Sequence, residues 1–173
     1  LRKIRKGFAF MLAGDQHLAT LIHHGVDDWN DAGWSFSVPS IANYYLRWWM
    51  PRRPGRNREE GAPEYTGEFR DGFGNRITVA AVANPRQEPN GDKLTTRAAG
   101  FGIVRFNKKK REIAVECWPR NVDITSVDAE QYPDWPRTIG QMDNYSREPA
   151  AHLPEIRVEG MDEPVVQVIE EES

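Results

Sequence analysis

Short apolar runs separated by polar turns organise this chain, and that pattern predicts strands more than helices. Phe8 to Ala13 is a continuous apolar run closed by Gly14, the pattern of a strand buried on both faces. Leu18 to Ile22 and Trp34 to Val38 follow, the second with strict period-two alternation, and the polar turn Gly25 to Gly33 lies between them. Two strands fit, although Leu18 to His24 also fits one or two helical turns. Tyr44 to Met50 is an aromatic cluster that reads as a short helix or loop packed on a core.

Beyond residue 50 the pattern changes. Pro51 to Pro63 carries four arginines and three prolines and has almost nothing to bury, which predicts a surface loop or linker. Tyr65 to Arg70 and Arg76 to Ala83 flank the turn Asp71-Gly72-Phe73-Gly74-Asn75 and read as a hairpin. Asn84 to Thr96 is a further polar loop. Gly100 to Phe106 and Ile113 to Trp118 form the clearest hairpin, with Val104 and Phe106 on one face of the first arm and Ile113, Val115 and Cys117 on one face of the second. The intervening run Lys108 to Arg111 reads as a solvated turn, because like charges repel and seek water. Pro119 to Pro154 is rich in Pro and Asp, with Tyr132 and Trp135 as expected anchors. Glu155 to Val158 and Val165 to Ile169 read as two more strands.

Composition narrows the class. The chain has 173 residues, 39% hydrophobic and 28% charged, with six Trp, seven Phe and five Tyr. Those aromatics are too numerous for a disordered chain. The net charge of −3 argues against a broad basic surface for gripping phosphate backbones, so no specific nucleic-acid binding is expected. No apolar stretch reaches the roughly 18 to 20 residues of a membrane-spanning helix. Arg2, Lys3, Arg5 and Lys6 ahead of Phe8 to Ala13 imitate a secretory signal, but the run stops at Asp15 and a buried strand accounts for it. The lone Cys117 forms no internal disulfide and reads as a small buried hydrophobe.

The residues that suggest chemistry are Gly14-Asp15-Gln16-His17, at the carboxyl end of the first strand, where backbone turns away and side chains converge. On an extended segment Asp15 and His17 point the same way, so a carboxylate and an imidazole can reach one metal cluster. The plain alternative has Asp15 capping a turn and His17 satisfied by backbone. His23 and His24 would face opposite sides of a strand, leaving only one able to approach. His152 has no obvious partner. Ser35, Ser37 and Ser40 lack a Gly-x-Ser-x-Gly setting. Gly72-Phe73-Gly74 and Gly100-Phe101-Gly102 precede strands, which argues against nucleotide-binding loops.

Leu12 to Ala19, followed by Phe36-Ser37-Val38-Pro39-Ser40-Ile41, resembles the last metal-binding motif and following strand of PhoD-like (alkaline phosphatase D-type) metallophosphatases, in the calcineurin-like metallophosphoesterase superfamily. Ile77 to Pro85, and Ala99 to Phe106 through Glu116 to Arg120, are similar to the β-rich C-terminal part of one branch. The resemblance implies an α+β, β-rich fold, with residues 1–50 as the last strands of an α/β/β/α sandwich and 51–173 as a C-terminal extension of β-hairpins. It implies His17 as a metal ligand and Asp15, in place of the usual histidine, as a ligand or supporting partner. The implied cofactors are two divalent ions, among Fe, Mn, Zn and Ca, and the implied activity is hydrolysis of phosphate esters.

The superfamily's remaining motifs do not occur, which is expected of a C-terminal fragment that does not turn over by itself and whose partner is the missing N-terminal part. The absent initiator Met and the acidic end Glu170 to Ser173 fit that expectation. A periplasmic or extracellular location is implied by resemblance alone. A different class also fits: a noncatalytic β-rich module binding carbohydrate or protein through Trp29, Trp34, Tyr44, Tyr45, Trp48 and Trp49.

Overall fold

The computed structural model describes residues 1–2, 9–45, 47–85, 97–146, 156–162 and 164–165. Among them it is β-rich, with eight strands in two sheets and one short helix. The strands are β1 (Met11–Ala13), β2 (Ala19–Gly25), β3 (Trp34–Ser37), β4 (Gly67–Arg70), β5 (Arg76–Ala83), β6 (Gly100–Asn107), β7 (Glu112–Pro119) and β8 (Arg137–Gly140), followed by α1 (Gln141–Tyr145). The first sheet has the order β1-β3-β2-β5-β4 and so joins residues on both sides of residue 50. All its pairs are antiparallel except β1 with β3. The second sheet has the order β6-β7-β8.

The sheets pack face to face. Ala19, Leu21, Phe36, Ala81 and Ala83 from the first meet Ile113, Val115, Cys117 and Ile139 from the second in one core. Tyr132 and Trp135 are buried there as expected; Tyr132 donates its hydroxyl to the Ala99 carbonyl, and Trp135 lies 5.2 Å from the Phe36 ring. Burying Phe36, Leu21 and Val115 each contributes about 1.5–3 kcal/mol, a force that alternation alone aims at this face. Gly102 lets β6 approach closely, since a Cβ there would lie 2.5 Å from the Phe36 ring. Burial also pushes the Cys117 thiol well above its ordinary pKa, so it stays an inert apolar filler. The other face of the first sheet carries a smaller cluster of Ile77, Val79 and Val82 under Trp49, Tyr65 and Phe69.

Of Leu18 to His24, the part from Ala19 lies in the strand β2, with Ala19, Leu21 and His23 buried on one face. Both expected hairpins form, β4 pairing with β5 and β6 with β7. Three expectations need correction. β1 is a three-residue strand with Leu12 and Ala13 exposed, so it is not buried on both faces; among the described residues it pairs with β3 alone. Tyr44, Tyr45, Trp48 and Met50 are exposed and lie in no helix, whereas Trp49 is anchored through Nε1 to the Tyr65 carbonyl. The Pro- and Asp-rich stretch from Pro119 contains β8 and α1, because Ile139 fills the core and pairs with Ile113. Ile156 to Val158 are exposed and not in a strand. Glu155, residues 166–169, most of the loop Asn84 to Thr96, and His152 lie outside the described residues.

Candidate functional site

β1 and β3 run parallel and end side by side, with the Val38 amide donating to the Ala13 carbonyl at 2.8 Å. The chain then leaves β1 through Gly14 and reverses into antiparallel β2 at Ala19. That reversal has to be made by residues 14–18. It is not extended: Asp15 (φ 61°) and His17 (φ 55°) both adopt the left-handed conformation. Each such non-glycine residue costs on the order of 1 kcal/mol, a strain found often at functional positions. The expected same-side placement from extended backbone is therefore replaced by a tight turn. The two side chains still meet, with His17 Nε2 3.8 Å from Asp15 Oδ1.

The surroundings treat the two differently. The Asp15 carboxylate is fully exposed, whereas the His17 ring is 19% exposed and lies edge-on to Tyr45 at 5.9 Å. His17 Nδ1 lies 2.7 Å from Asn43 Oδ1. Asn43 is fully buried, and its Nδ2 donates to the carbonyls of His17 (2.9 Å) and Arg97 (2.6 Å). Carbonyls only accept, so these two bonds fix which end of the amide is nitrogen and leave Oδ1 as an acceptor for His17. His17 Nδ1 must then be the protonated nitrogen. In the uncharged ring Nε2 consequently keeps its lone pair, directed at the side where Asp15 stands.

This is how a metal-binding imidazole is prepared, with one nitrogen tied to a hydrogen-bond acceptor and the other left to donate electrons. A nitrogen bond of about 2.1 Å and an oxygen bond of about 2.1 Å sum to more than the observed separation, so one divalent ion can touch both groups where they stand. The donor set fits borderline or hard ions such as Zn, Fe or Mn. Among the described residues no group of three His, Cys, Asp or Glu converges, so these two donors alone make an incomplete coordination sphere.

Comparison with protein-family models, with curated proteins and with solved structures returned no match. The site therefore rests on its own geometry.

His23 and His24 serve the fold. His23 stacks on Trp34 with ring centroids 4.3 Å apart, and its Nε2 lies 3.0 Å from Ser146 Oγ. Burial pushes its pKa down to about 4, against smaller opposing contributions from the Ala32 carbonyl, Asp143 and Asp31. His24 faces the opposite side, where Nε2 is 2.7 Å from Ser35 Oγ; desolvation lowers its pKa too. Neither joins Asp15 and His17 in a group of three. Asn43 is the residue that sequence reasoning missed. Amides are not usual metal ligands, and nothing in the segment Pro39 to Asn43 signals that its side chain turns inward across to His17.

Proposed function

We propose that Asp15 and His17 belong to the metal centre of a metal-dependent phosphoesterase of the PhoD-like type, and that the strands around them are the last strands of its α/β/β/α core. The observation that carries this reading is the Asn43 lock, which leaves His17 Nε2 unprotonated and facing a carboxylate. His17 Nε2 and the Asp15 carboxylate would hold part of such a centre, and divalent metal bound there would supply charge to a phosphate ester and acidity to a water. The chain's own residues supply the placement. Asn43 holds the imidazole and its tautomer, Asp15 provides negative charge at the open side, and Tyr45 covers one edge of the ring. The reading requires further ligands from residues beyond those described here.

The test uses the protein in its natural full length, assayed with phosphomonoester and phosphodiester substrates and analysed for bound metal. His17→Ala is expected to lower turnover by at least about a hundredfold and to reduce metal content; Asn43→Ala is expected to weaken metal affinity by about 10- to 100-fold through the ring alone. Unchanged turnover at saturating metal, with unchanged metal content, overturns the assignment.

One observation favours a second reading, a noncatalytic module for carbohydrate or protein. Tyr44 (67%), Tyr45 (76%) and Trp48 (45%) stand exposed on one segment. Trp34 and Trp49 are committed to packing, and Trp29 lies against Arg56 and Arg70. Under this reading, replacing Tyr44, Tyr45 and Trp48 with Ala abolishes binding while the metal content stays the same.

A further inference from the structure

A small cleft of about 150 Å³ opens at a margin of the inter-sheet interface, walled by Trp34 of β3, Thr78 of β5, Arg137 of β8 and the loop that carries Arg58 and Glu59. The register explains the grouping. Trp34 and Thr78 are the two cross-strand partners of His23, one on each side, so they share the face that meets the second sheet. Arg137 arrives from that second sheet.

Trp34 Nε1, Thr78 Oγ1 and Arg137 Nε are all buried without a hydrogen-bond partner among the described residues. The indole and guanidinium nitrogens only donate, and the hydroxyl donates as readily as it accepts. Each buried donor left unpaired is costly, and buried polar groups are nearly always satisfied. An oxyanion accepts from all three at once and is matched by charge, whereas a water would have to accept from both nitrogens and donate to the hydroxyl. Arg137 and Arg58 supply two positive charges, opposed by Glu59, which is 80% exposed and only 3.5 Å from Arg137 Nη1. The planar guanidinium favours oxyanions over spherical ions. The volume suits a group the size of phosphate and falls short of the roughly 300 Å³ at which pockets for larger ligands begin.

We propose that this cleft is a binding site for a small inorganic oxyanion, phosphate or sulfate, held by Trp34 Nε1–H, Thr78 Oγ1–H and Arg137 Nε–H. Neither Asp15 nor His17 lines it, so the inference stands or falls apart from the proposed metal centre. The experiment follows the Trp34 indole N–H resonance, assigned with Trp34→Phe, while inorganic phosphate or sulfate replaces chloride at constant ionic strength. A saturable shift is expected, together with a rise in Tm that phosphate and sulfate give and chloride does not.

Arg137→Gln and Arg137→Lys, the second keeping the charge without the planar fork, should each weaken binding at least about tenfold. Thr78→Val should also weaken it, yet leave the Tm in chloride no lower than wild type, because its hydroxyl has no partner there to lose. No saturable shift, or wild-type affinity in both the Arg137→Lys and Thr78→Val proteins, overturns the proposal, as does a Tm rise that chloride reproduces.

Discussion

His17 and His23 occupy the two ends of one short stretch of chain and are put to opposite uses. His23 sits within β2, stacked on Trp34, with its Nε2 tied to Ser146 at the end of α1. His17 sits in the turn before β2, with its Nδ1 tied to Asn43 and its Nε2 left to the solvent side beside Asp15. The difference teaches that the partner of an imidazole, more than its burial, decides what it can do. A ring whose outer nitrogen is consumed by a hydroxyl is part of the scaffold; a ring whose inner nitrogen is consumed by a buried amide is presented for chemistry.

The largest effect that would sharpen this contrast is a pH dependence owned by His23. Its folded pKa, about 4, lies below the ordinary value of 6.5, so as pH falls from 6.5 to 4 the unfolded chain takes up a proton that the folded chain refuses. Its stabilising contribution is complete above pH 6.5 and lost on the way to pH 4, by on the order of 3 kcal/mol. His24, shifted in the same direction, adds to the loss. Urea unfolding from pH 7 to pH 4 should show this slope, and His23→Gln should remove most of it. An unchanged slope would mean that His23 is not the sealed, structural histidine described.

Next in size is Asn43. Asn43→Ala takes a hydrogen-bond partner from two part-buried carbonyls and the His17 N–H and should cost about 2 kcal/mol by denaturant unfolding. Asn43→Asp is the sharper variant. It keeps an acceptor for His17 but sets a second oxygen against the two carbonyls, and it should cost at least as much. If Asn43→Asp matched wild type, the amide would not be the lock.

A smaller effect is expected of His17 itself. His17→Ala should lower stability by about 1 kcal/mol, since it ends one hydrogen bond and one edge contact. Tyr45→Ala should move stability by less than about 0.5 kcal/mol, as befits a side chain 76% exposed. A large loss in either variant would make the His17 corner structural, like the His23 corner, and dissolve the comparison.

Much of the fold was legible as alternation. Ile113, Val115 and Cys117 face the core as their spacing requires, and the hairpin turns at Asp71 to Asn75 and Asn107 to Glu112 carry the residues such turns need. β8 was hidden because Arg137-Thr138-Ile139-Gly140 offers a single apolar residue; its strand exists through pairing with β7, a tertiary influence. β1 read as a strand buried on both faces because its residues are apolar, but a run of apolar side chains says nothing about which strands flank it. At the site, Asp15 and His17 were visible by residue type, while the left-handed turn and the inward amide of Asn43 were not. Both depend on chain reversal between β1 and β2 and on a contact from beyond β3, neither of which leaves a local pattern.

The central claim is that Asn43 fixes His17 with its proton on Nδ1 and its lone pair on Nε2. Long-range proton–nitrogen correlation of the imidazoles, recorded about two units above the ordinary histidine pKa of roughly 6.5, reads this directly. The account predicts that His17 shows a protonated Nδ1 and a pyridine-type Nε2, and that Asn43→Ala collapses this to an averaged pair. A His17 ring protonated at Nε2 in the wild-type protein would contradict it.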